Sequence, residues 1–183
     1  MLGAVIGDIA GSRFEFDNYR HTDFDIFSPD SDFTDDTICT VAIADWVLQG
    51  CNDHLASILQ GWCRAYPCPK GAYGGRFSQW IEWKDPEPYN SWGNGSAMRV
   101  SAVGWAFATL EETLHFAEQS AIVTHNHPEG IKGAQAVAAA IFWARTGMGK
   151  AQIKENITRQ FGYDLSQSCD QIRPHYHFNE SCQ

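Results

Sequence analysis

The feature that most constrains the fold of this chain is an alanine-rich segment from Pro128 to Thr146, which has a helical pattern throughout. Pro128 favours a helix start because its fixed φ suits the first turn. Gly147 follows the last helical residue, where a C-terminal cap is expected. The small alanine side chains permit another helix to approach closely. This segment therefore favours a fold in which helices pack directly on one another.

The rest of the chain also has the pattern of helices separated by polar, glycine-rich or proline-rich loops. No run of alternating Val, Ile and Thr indicates a strand. The predicted fold class is therefore all-α, in one domain over residues 1–183, with the helix that begins near Asp35 at its centre. Helices are predicted over residues 2–12, 35–49, 53–65, 76–83, 96–110, 111–124, 128–146 and 150–161.

Composition excludes several classes of partner. The formal net charge is −9, which argues against nucleic acid or an anionic membrane surface as the main partner. No apolar run approaches the roughly 18 residues that a membrane span needs. The six cysteines form no CxxC pair, and the N-terminus has no basic signal-peptide region. We expect reduced thiols in a cytoplasmic protein.

The segment Thr34-Asp35-Asp36-Thr37 places two carboxylates in the first turn of a predicted helix. One interpretation is capping, because Thr34 suits the N-cap position and acids are favoured near a helix N-terminus. The other is metal binding. Adjacent helical residues diverge by about 100°, so the two carboxylates can face different cations, and hard cations such as Mg²⁺ prefer oxygen ligands.

The segment from Ser91 to Arg99 reads Ser-Trp-Gly-Asn-Gly-Ser-Ala-Met-Arg. Glycines directly before a helix expose backbone N–H groups that can bind an anion such as phosphate. The alternative is an Asn-Gly turn in which Ser96 only caps the helix. The segment is not a Walker A loop, because no Gly-Lys-Ser/Thr follows it.

Two further motifs have both a structural and a functional interpretation. Gly3, Gly7 and Gly11 fall on one face of the first helix, where they would let another backbone approach closely, and Glu15 follows. Glu15 is either solvated or lies in a cleft beside the metals. His125-Asn126-His127 is either a metal site or a polar turn before Pro128. The letters also match HNH nucleases, but the ββα pattern of that fold is missing.

In this order the segments resemble the ADP-ribosylglycohydrolase family, which includes the dinitrogenase-reductase activating glycohydrolases. The family pattern runs Gly-Asp-x-x-Gly-x-x-x-Glu, Thr-Asp-Asp-Thr, a Tyr-Gly-x-Gly-like loop, Gly-Asn-Gly-x-x-Met-Arg and a His-rich turn before an Ala-rich helix. The resemblance covers nearly the whole chain and implies a compact orthogonal helical bundle. The matching segments are Gly7–Glu15, Thr34–Thr37, Tyr73–Gly75, Gly93–Arg99 and His125.

The resemblance implies roles for individual residues. Thr34, Asp35 and Asp36 would supply one half of a site for two Mg²⁺ ions, which orient the ribose hydroxyls and activate water. Asp35, Asp36 and Glu15 are the expected catalytic residues, with Glu15 near the scissile bond as a gate or an acid/base group. The implied reaction is hydrolysis at the anomeric carbon of ADP-ribose, through an oxocarbenium-like transition state. The residues expected to bind the substrate are Gly74, Gly75, Ser91, Gly93, Asn94, Gly95, Ser96 and His125.

One part of the family pattern is missing. The family completes its metal site with an Asp-x-Asp-Thr or Asp-x-Asp-Ser segment near the C-terminus, and neither Asp23-Phe24-Asp25 nor Asp30-Ser31-Asp32 is followed by a hydroxyl residue. The tail over 176–183 resembles a segment that the family places just before its last helices. The expectation is a chain shortened at its C-terminus, which forms a homodimer or associates with a second chain that supplies the missing segment.

Three functions are therefore considered for this chain. The first is an enzyme that removes ADP-ribose from a modified target. The second is a catalytically silent module that binds ADP-ribose or a protein partner. The third is a structural protein on the same scaffold without a ligand, against which the retained Thr34-Asp35-Asp36 segment argues.

Overall fold

The computed structural model describes residues 1–177 and 181–182, so part of the C-terminal segment noted above lies outside the described residues. Over the described residues the fold is all-α, as predicted, and the β-structure there is limited to isolated bridges between Thr34 and Lys70 and between Gly93 and Ser181. The helices are α1 (Leu2–Gly11), α2 (Asp35–Leu48), α3 (Leu55–Ala65), α4 (Gly75–Glu82), α5 (Gly95–Arg99), α6 (Ser101–Ala106), α7 (Leu110–Ile122), α8 (Pro128–Arg145), α9 (Lys150–Phe161) and α10 (Cys169–Ile172).

Helices α2 and α8 share the centre of the fold. Helix α2 packs against α1, α3, α5 and α6, and helix α8 packs against α5, α6, α7 and α9. The close approach expected of the alanine-rich helix occurs at Gly104 of α6. A Cβ atom there would lie 2.7 Å from Cβ of Ile141 and 3.0 Å from the carbonyl oxygen of Ala138. Only a residue without a side chain fits between these two helices.

The predicted helix over 96–110 is wrong, because the structure divides it into two short helices. Val100 lies between α5 and α6, and an N–H···O bond from Val103 to Val100 tightens the chain into an i→i+3 turn there. Phe107 is extended, and Thr109 then forms a capping box with Glu112 that starts α7. The Thr-x-x-Glu pattern of that box was visible in the sequence. A second capping box, Ser168 with Gln171, starts α10 in the segment after residue 161, where no helix was predicted.

The sequence analysis expected the glycines of α1 to let another backbone approach closely, and this is wrong for the described residues. A Cβ atom at Gly3, Gly7 or Gly11 would have no atom of another described element within 4 Å. Helix α1 instead contacts α2 through Asp8, whose carboxylate accepts hydrogen bonds from the residues at the start of α2. No residue of α1 is buried, and Leu2 is 79% exposed. Among the described helices, none has the length and apolar character to cross a membrane.

Candidate active site

One large cleft collects the motifs that are scattered along the sequence. Its volume is about 1240 Å³, somewhat above the roughly 300–1,000 Å³ of pockets that hold drug-sized ligands. The cleft therefore has room for an extended ligand such as a dinucleotide. The residues that line it lie within Gly7–Tyr19, Thr34–Asp36, Gly71–Phe77 and Tyr89–Arg99, together with His125, Tyr176 and Ser181.

The start of α2 is fixed by Asp8, a residue outside the predicted site. Its carboxylate accepts hydrogen bonds from the backbone N–H and the hydroxyl of Thr34 at 2.9 and 2.6 Å. It also accepts from the N–H and the hydroxyl of Thr37, at 3.2 and 2.5 Å. The Thr34 hydroxyl in turn accepts from the Asp36 N–H at 3.2 Å, which is the capping interaction expected at this position. Asp8 therefore fixes the first turn of α2, in which Asp35 and Asp36 line the cleft.

Asp35 and Asp36 lie in an environment that penalises negative charge. Burial, followed by the charges of Asp36 and Glu15, raises the pKa of Asp35 from 3.8 to about 7. Burial, followed by the charges of Asp8 and Glu15, raises the pKa of Asp36 from 3.8 to about 6. Neither carboxylate forms an ion pair with a described residue. A divalent cation placed between them would relieve this repulsion, so their electrostatics suit a metal ion.

The Thr34 hydroxyl retains capacity for a ligand. A hydroxyl has one proton and two lone pairs. In Thr34 the proton is donated to Asp8 and one lone pair accepts from Asp36, so the second lone pair is available to a cation. Among the described residues no group of three or more His, Cys, Asp or Glu side chains is arranged to hold a metal ion. The three residues 34–36 offer two carboxylates and one hydroxyl, and the half site predicted from the sequence stays a prediction.

Glu15 lies in the same cleft, against a loop that the sequence did not single out. Gly71 has a φ of +80°, a conformation that favours glycine. A Cβ atom on Gly71 would also lie 2.5 Å from Oε2 of Glu15. The influence of the Glu15 charge on both Asp35 and Asp36 places its carboxylate near theirs. Glu15 therefore lies in the cleft near Asp35 and Asp36, and its role as a gate or an acid/base group stays a prediction.

The two predicted glycine loops border the cleft. Gly74 and Gly75 start α4, and a Cβ atom at either position would meet open space. Ser91 is tied to the neighbouring turn by an N–H···O bond of 3.3 Å to the carbonyl of Thr124. Its hydroxyl accepts a hydrogen bond from the N–H of Gly93 at 3.3 Å. Gly93, Asn94 and Gly95 also line the cleft.

Ser96 occupies a different place from the other predicted substrate-binding residues. Its side chain is fully buried, and its hydroxyl donates to the carbonyl of Gly130 at 2.7 Å. A Cβ atom on Gly130 would lie 2.8 Å from the carbonyl of Ser91, so α8 and the loop before α5 are in close contact. Ser96 therefore ties the start of α5 to α8, and its hydroxyl proton is donated to Gly130 rather than to a ligand.

His125 lies at the edge of the cleft and is 4% exposed. Its Nδ1 is 2.7 Å from the hydroxyl of Thr124, which in turn accepts a hydrogen bond from Arg99 at 2.9 Å. Burial, together with the charge of Arg99, lowers the pKa of His125 from 6.5 to about 3. The imidazole is therefore neutral at physiological pH. His127, the other member of the pair, caps α8 instead, because its side chain accepts from the N–H of Glu129.

Sequence reasoning missed three side chains that shape this site: Asp8, Arg99 and Thr124. Asp8 and Arg99 both lie within the motifs that carry the resemblance, but their residue types gave no sign of the specific contacts they make. Thr124 directly precedes His125. A polar residue next to a predicted ligand-binding histidine was the available signal for its role.

Comparisons with known proteins show which sequences this chain resembles. The sequence pattern of the ADP-ribosylglycohydrolase family matches residues 1–175. The chain is 26% identical to the ADP-ribosylhydrolase ARH3 of Xenopus tropicalis, over 80% of this chain and 49% of that protein. It is 36% identical to the ADP-ribosylhydrolase ARH3 of Mus musculus, over 34% of this chain and 17% of that protein. The chain spans about half the length of the curated relatives it matches.

Proposed function

Because the chain belongs to the ADP-ribosylglycohydrolase family, we propose that it binds ADP-ribose in this cleft and hydrolyses the bond that joins ADP-ribose to a modified target. The observation that carries the proposal is the convergence of Glu15, the acidic start of α2, the glycine loops and His125 on one cleft. The names of the two relatives, both ADP-ribosylhydrolases, support the same reaction class.

Each part of the proposed ligand is assigned to a different group of residues in the cleft. The diphosphate would lie along the Gly93–Gly95 loop and the Gly74–Gly75 loop, where the glycines let an anion approach the backbone closely. His125 would contact the same part of the ligand. The reactive ribose would lie toward Glu15, Asp35 and Asp36. This arrangement separates recognition of the phosphates from the chemistry at the sugar.

Mg²⁺ is the proposed cofactor, held by Thr34, Asp35 and Asp36. Two carboxylates and one hydroxyl are the hard oxygen ligands that this cation prefers. When bound, Mg²⁺ would polarise oxygens of the substrate and lower the pKa of a coordinated water. The raised pKa values of Asp35 and Asp36 support a cation at this position, because a positive charge would relieve the repulsion among the carboxylates.

The chain's own residues would contribute in two further ways. As the bond at the anomeric carbon breaks, positive charge develops on the sugar, and the carboxylates of Asp35, Asp36 and Glu15 would stabilise it. Glu15 would also accept a proton from the attacking water, or donate one to the leaving group. In the balanced reaction, water oxygen bonds to the anomeric carbon and one of its protons reaches the departing target.

A second function is favoured by the small number of metal ligands. Two carboxylates and a hydroxyl leave most coordination positions of two Mg²⁺ ions to water or to a partner. The chain alone would then be a module that binds ADP-ribose without turning it over. A homodimer or a second chain that supplies further acids is the partner that this alternative implies.

The test combines titration calorimetry with an assay of hydrolysis. Purified chain is titrated with ADP-ribose, with Mg²⁺ or with chelator, and incubated with ADP-ribosyl-arginine and ADP-ribosyl-serine peptides. Metal-dependent binding with release of ADP-ribose supports the enzyme, and metal-independent binding without release supports the module. Absence of binding under both conditions contradicts both. Asp35→Asn is expected to weaken the Mg²⁺-dependent binding of ADP-ribose. Asp53 is exposed, so Asp53→Asn serves as a matched control.

A further inference from the structure

A buried chain of hydrogen bonds runs from Arg99 through Thr124 to His125. Arg99 is 1% exposed and donates through one terminal nitrogen to the Thr124 hydroxyl at 2.9 Å and to the Ser120 carbonyl at 2.8 Å. Thr124 is fully buried, and its hydroxyl oxygen lies 2.7 Å from Nδ1 of His125. The three side chains come from the end of α5 and from the turn between α7 and α8.

The donors and acceptors in this chain determine which ring nitrogen carries the proton. A guanidinium can only donate, so the Thr124 oxygen accepts from Arg99. The Thr124 hydroxyl has no other acceptor among the described residues, so its proton is donated to Nδ1 of His125. Nδ1 is therefore an unprotonated acceptor. A neutral imidazole with this arrangement carries its proton on Nε2.

The surroundings oppose the doubly protonated ring as an alternative. His125 is almost fully buried, and no described carboxylate is paired with either His125 or Arg99. A second positive charge beside the Arg99 guanidinium would be unfavourable in this low-dielectric setting. The lowered pKa of His125 reflects the same two causes. The ring therefore stays neutral while Arg99 holds its partner in place.

The protonated nitrogen lies next to the cleft. A Cβ atom on Gly95 would lie 3.0 Å from Cε1 and 3.1 Å from Nε2 of His125. Both Gly95 and His125 line the cleft. Within residues 1–177 and 181–182, Nε2 has no hydrogen-bond partner. A ligand oxygen that binds beside Gly95 would supply the missing acceptor.

We propose that Arg99 and Thr124 are positioning residues that lock His125 in the Nε2–H tautomer, so that it donates a hydrogen bond to a phosphate oxygen bound beside Gly95. This inference rests on the proposed function, because it assigns the acceptor to the diphosphate of ADP-ribose. It also assigns His125 a single role. A ring with its proton on Nε2 and Nδ1 engaged by Thr124 has no lone pair to offer a metal or to serve as a general base.

The tautomer is measured directly by NMR of chain labelled with ¹⁵N at histidine. The His125 signals are assigned by their loss in His125→Gln. We expect Nδ1 of the wild-type protein, without ligand, to resonate as an unprotonated nitrogen and Nε2 as a protonated one, unchanged from pH 5 to pH 8. A protonated Nδ1, or a ring that titrates in this range, would overturn the inference. The wild-type spectrum decides this point even where a variant does not fold.

Variants of Thr124 test the positioning role. Thr124→Val removes the hydroxyl and is expected to shift the Nδ1 signal toward the mixed tautomers of a free imidazole, while Thr124→Ser restores it. Thr113→Val is the matched control. Thr113 is also fully buried, and among the described residues its hydroxyl bonds only to the carbonyl of Thr109, the N-cap residue of α7. Equal His125 spectra in Thr124→Val and wild type would contradict the role.

Titration with ADP-ribose and with inorganic pyrophosphate tests the acceptor. We expect Thr124→Val to weaken both by about tenfold, as for loss of one hydrogen bond to a charged group, with Thr124→Ser and Thr113→Val close to wild type. An unchanged affinity in Thr124→Val would overturn the assignment of the phosphate. If the wild-type chain binds neither compound, the proposed function fails, and with it the acceptor, while the spectra still decide the tautomer.

Discussion

At the scale of single residues, the half-buried Asp35 and the buried His125 in the cleft have opposite effects on stability as pH changes. Asp35 has a pKa raised from 3.8 to about 7, so the folded protein binds its proton more tightly than the unfolded chain does. The stability it contributes is full below about pH 4 and is lost as pH rises through 7. His125 has a pKa lowered from 6.5 to about 3, so its contribution is present above pH 6.5 and is lost as pH falls toward 3.

Because these two contributions oppose each other in the wild-type protein, a variant is needed to separate them. Asp35→Asn removes only the first. We expect the free energy of unfolding of Asp35→Asn, relative to wild type, to rise between pH 4 and pH 7 by on the order of 2 kcal/mol, allowing for the partial exposure of the carboxyl. The measurement is urea unfolding from pH 4 to pH 8 in the presence of a chelator.

The control for this prediction is Asp53→Asn, at an exposed position outside the cleft. Its difference from wild type should be small and independent of pH. Parallel curves for Asp35→Asn and wild type would show that the Asp35 carboxyl is solvated like an ordinary surface acid. Added Mg²⁺ should reduce the difference between Asp35→Asn and wild type at neutral pH, because a cation stabilises the ionised form.

At the scale of elements, the loop before α4 determines where Glu15 can lie. Gly71 and Gly50 both have φ near +80°, where a Cβ atom is strained. They differ in their surroundings, because a Cβ atom on Gly50 meets open space and one on Gly71 meets Glu15. Alanine substitutions at these two glycines therefore distinguish the effect of backbone strain from the effect of displacing the Glu15 carboxylate.

We expect Gly71→Ala and Gly50→Ala to lose similar stability, about 1 kcal/mol each, from the backbone strain alone. Glu15 is the flexible end of a side chain and can move aside. Only Gly71→Ala should therefore lower the pKa of Asp35, since it shifts the Glu15 charge that helps to raise it. ¹³C NMR of the aspartate carboxyls measures this pKa, and equal values in the two variants would contradict the contact.

Helix ends that are marked by local residues could be predicted from the sequence, whereas features that depend on distant contacts could not. Helices α2, α8 and α9 were predicted to within about a residue at most ends, because caps, glycines and Pro128 are local signals. The break at Val100 was missed, since that stretch contains no Gly or Pro in its first turns to mark it. In the site, motif residues such as Asp35 could be singled out from the sequence. The Asp8 contacts with α2 could not, since they join residues 26 and 29 positions apart.

At the scale of the whole molecule, the described surface carries apolar side chains that a partner could cover. Leu48 is 87% exposed, Leu2 79% and Ile6 48%. A partner that covers these side chains would remove their apolar surface from water. The proposed homodimer or second chain would act at this scale, by covering such surface and by adding acids to the half site at Thr34–Asp36. The dependence of activity on chain concentration distinguishes these partners.

We expect residues 1–183 alone to bind Mg²⁺ weakly and to hydrolyse ADP-ribosylated peptides at well below about 1 s⁻¹, a rate at the low end for enzymes. Residues 34–36 offer three protein oxygen ligands, whereas two octahedral Mg²⁺ ions have about twelve positions. Each water in place of a carboxylate removes neutralising charge and fixed geometry. A misplacement of about 1 Å at a reacting centre can reduce the rate on the order of a hundredfold.

The assay for this prediction measures ADP-ribose release by the purified chain with saturating Mg²⁺, on arginine- and serine-linked peptides, at increasing chain concentration. If two copies complete one site, the rate per chain should rise with concentration, in step with the dimer fraction seen by light scattering. A low rate that does not change with concentration favours a second, different chain, because self-association then adds no ligands. Turnover of 1 s⁻¹ or more by the monomer would contradict the importance of the missing ligands.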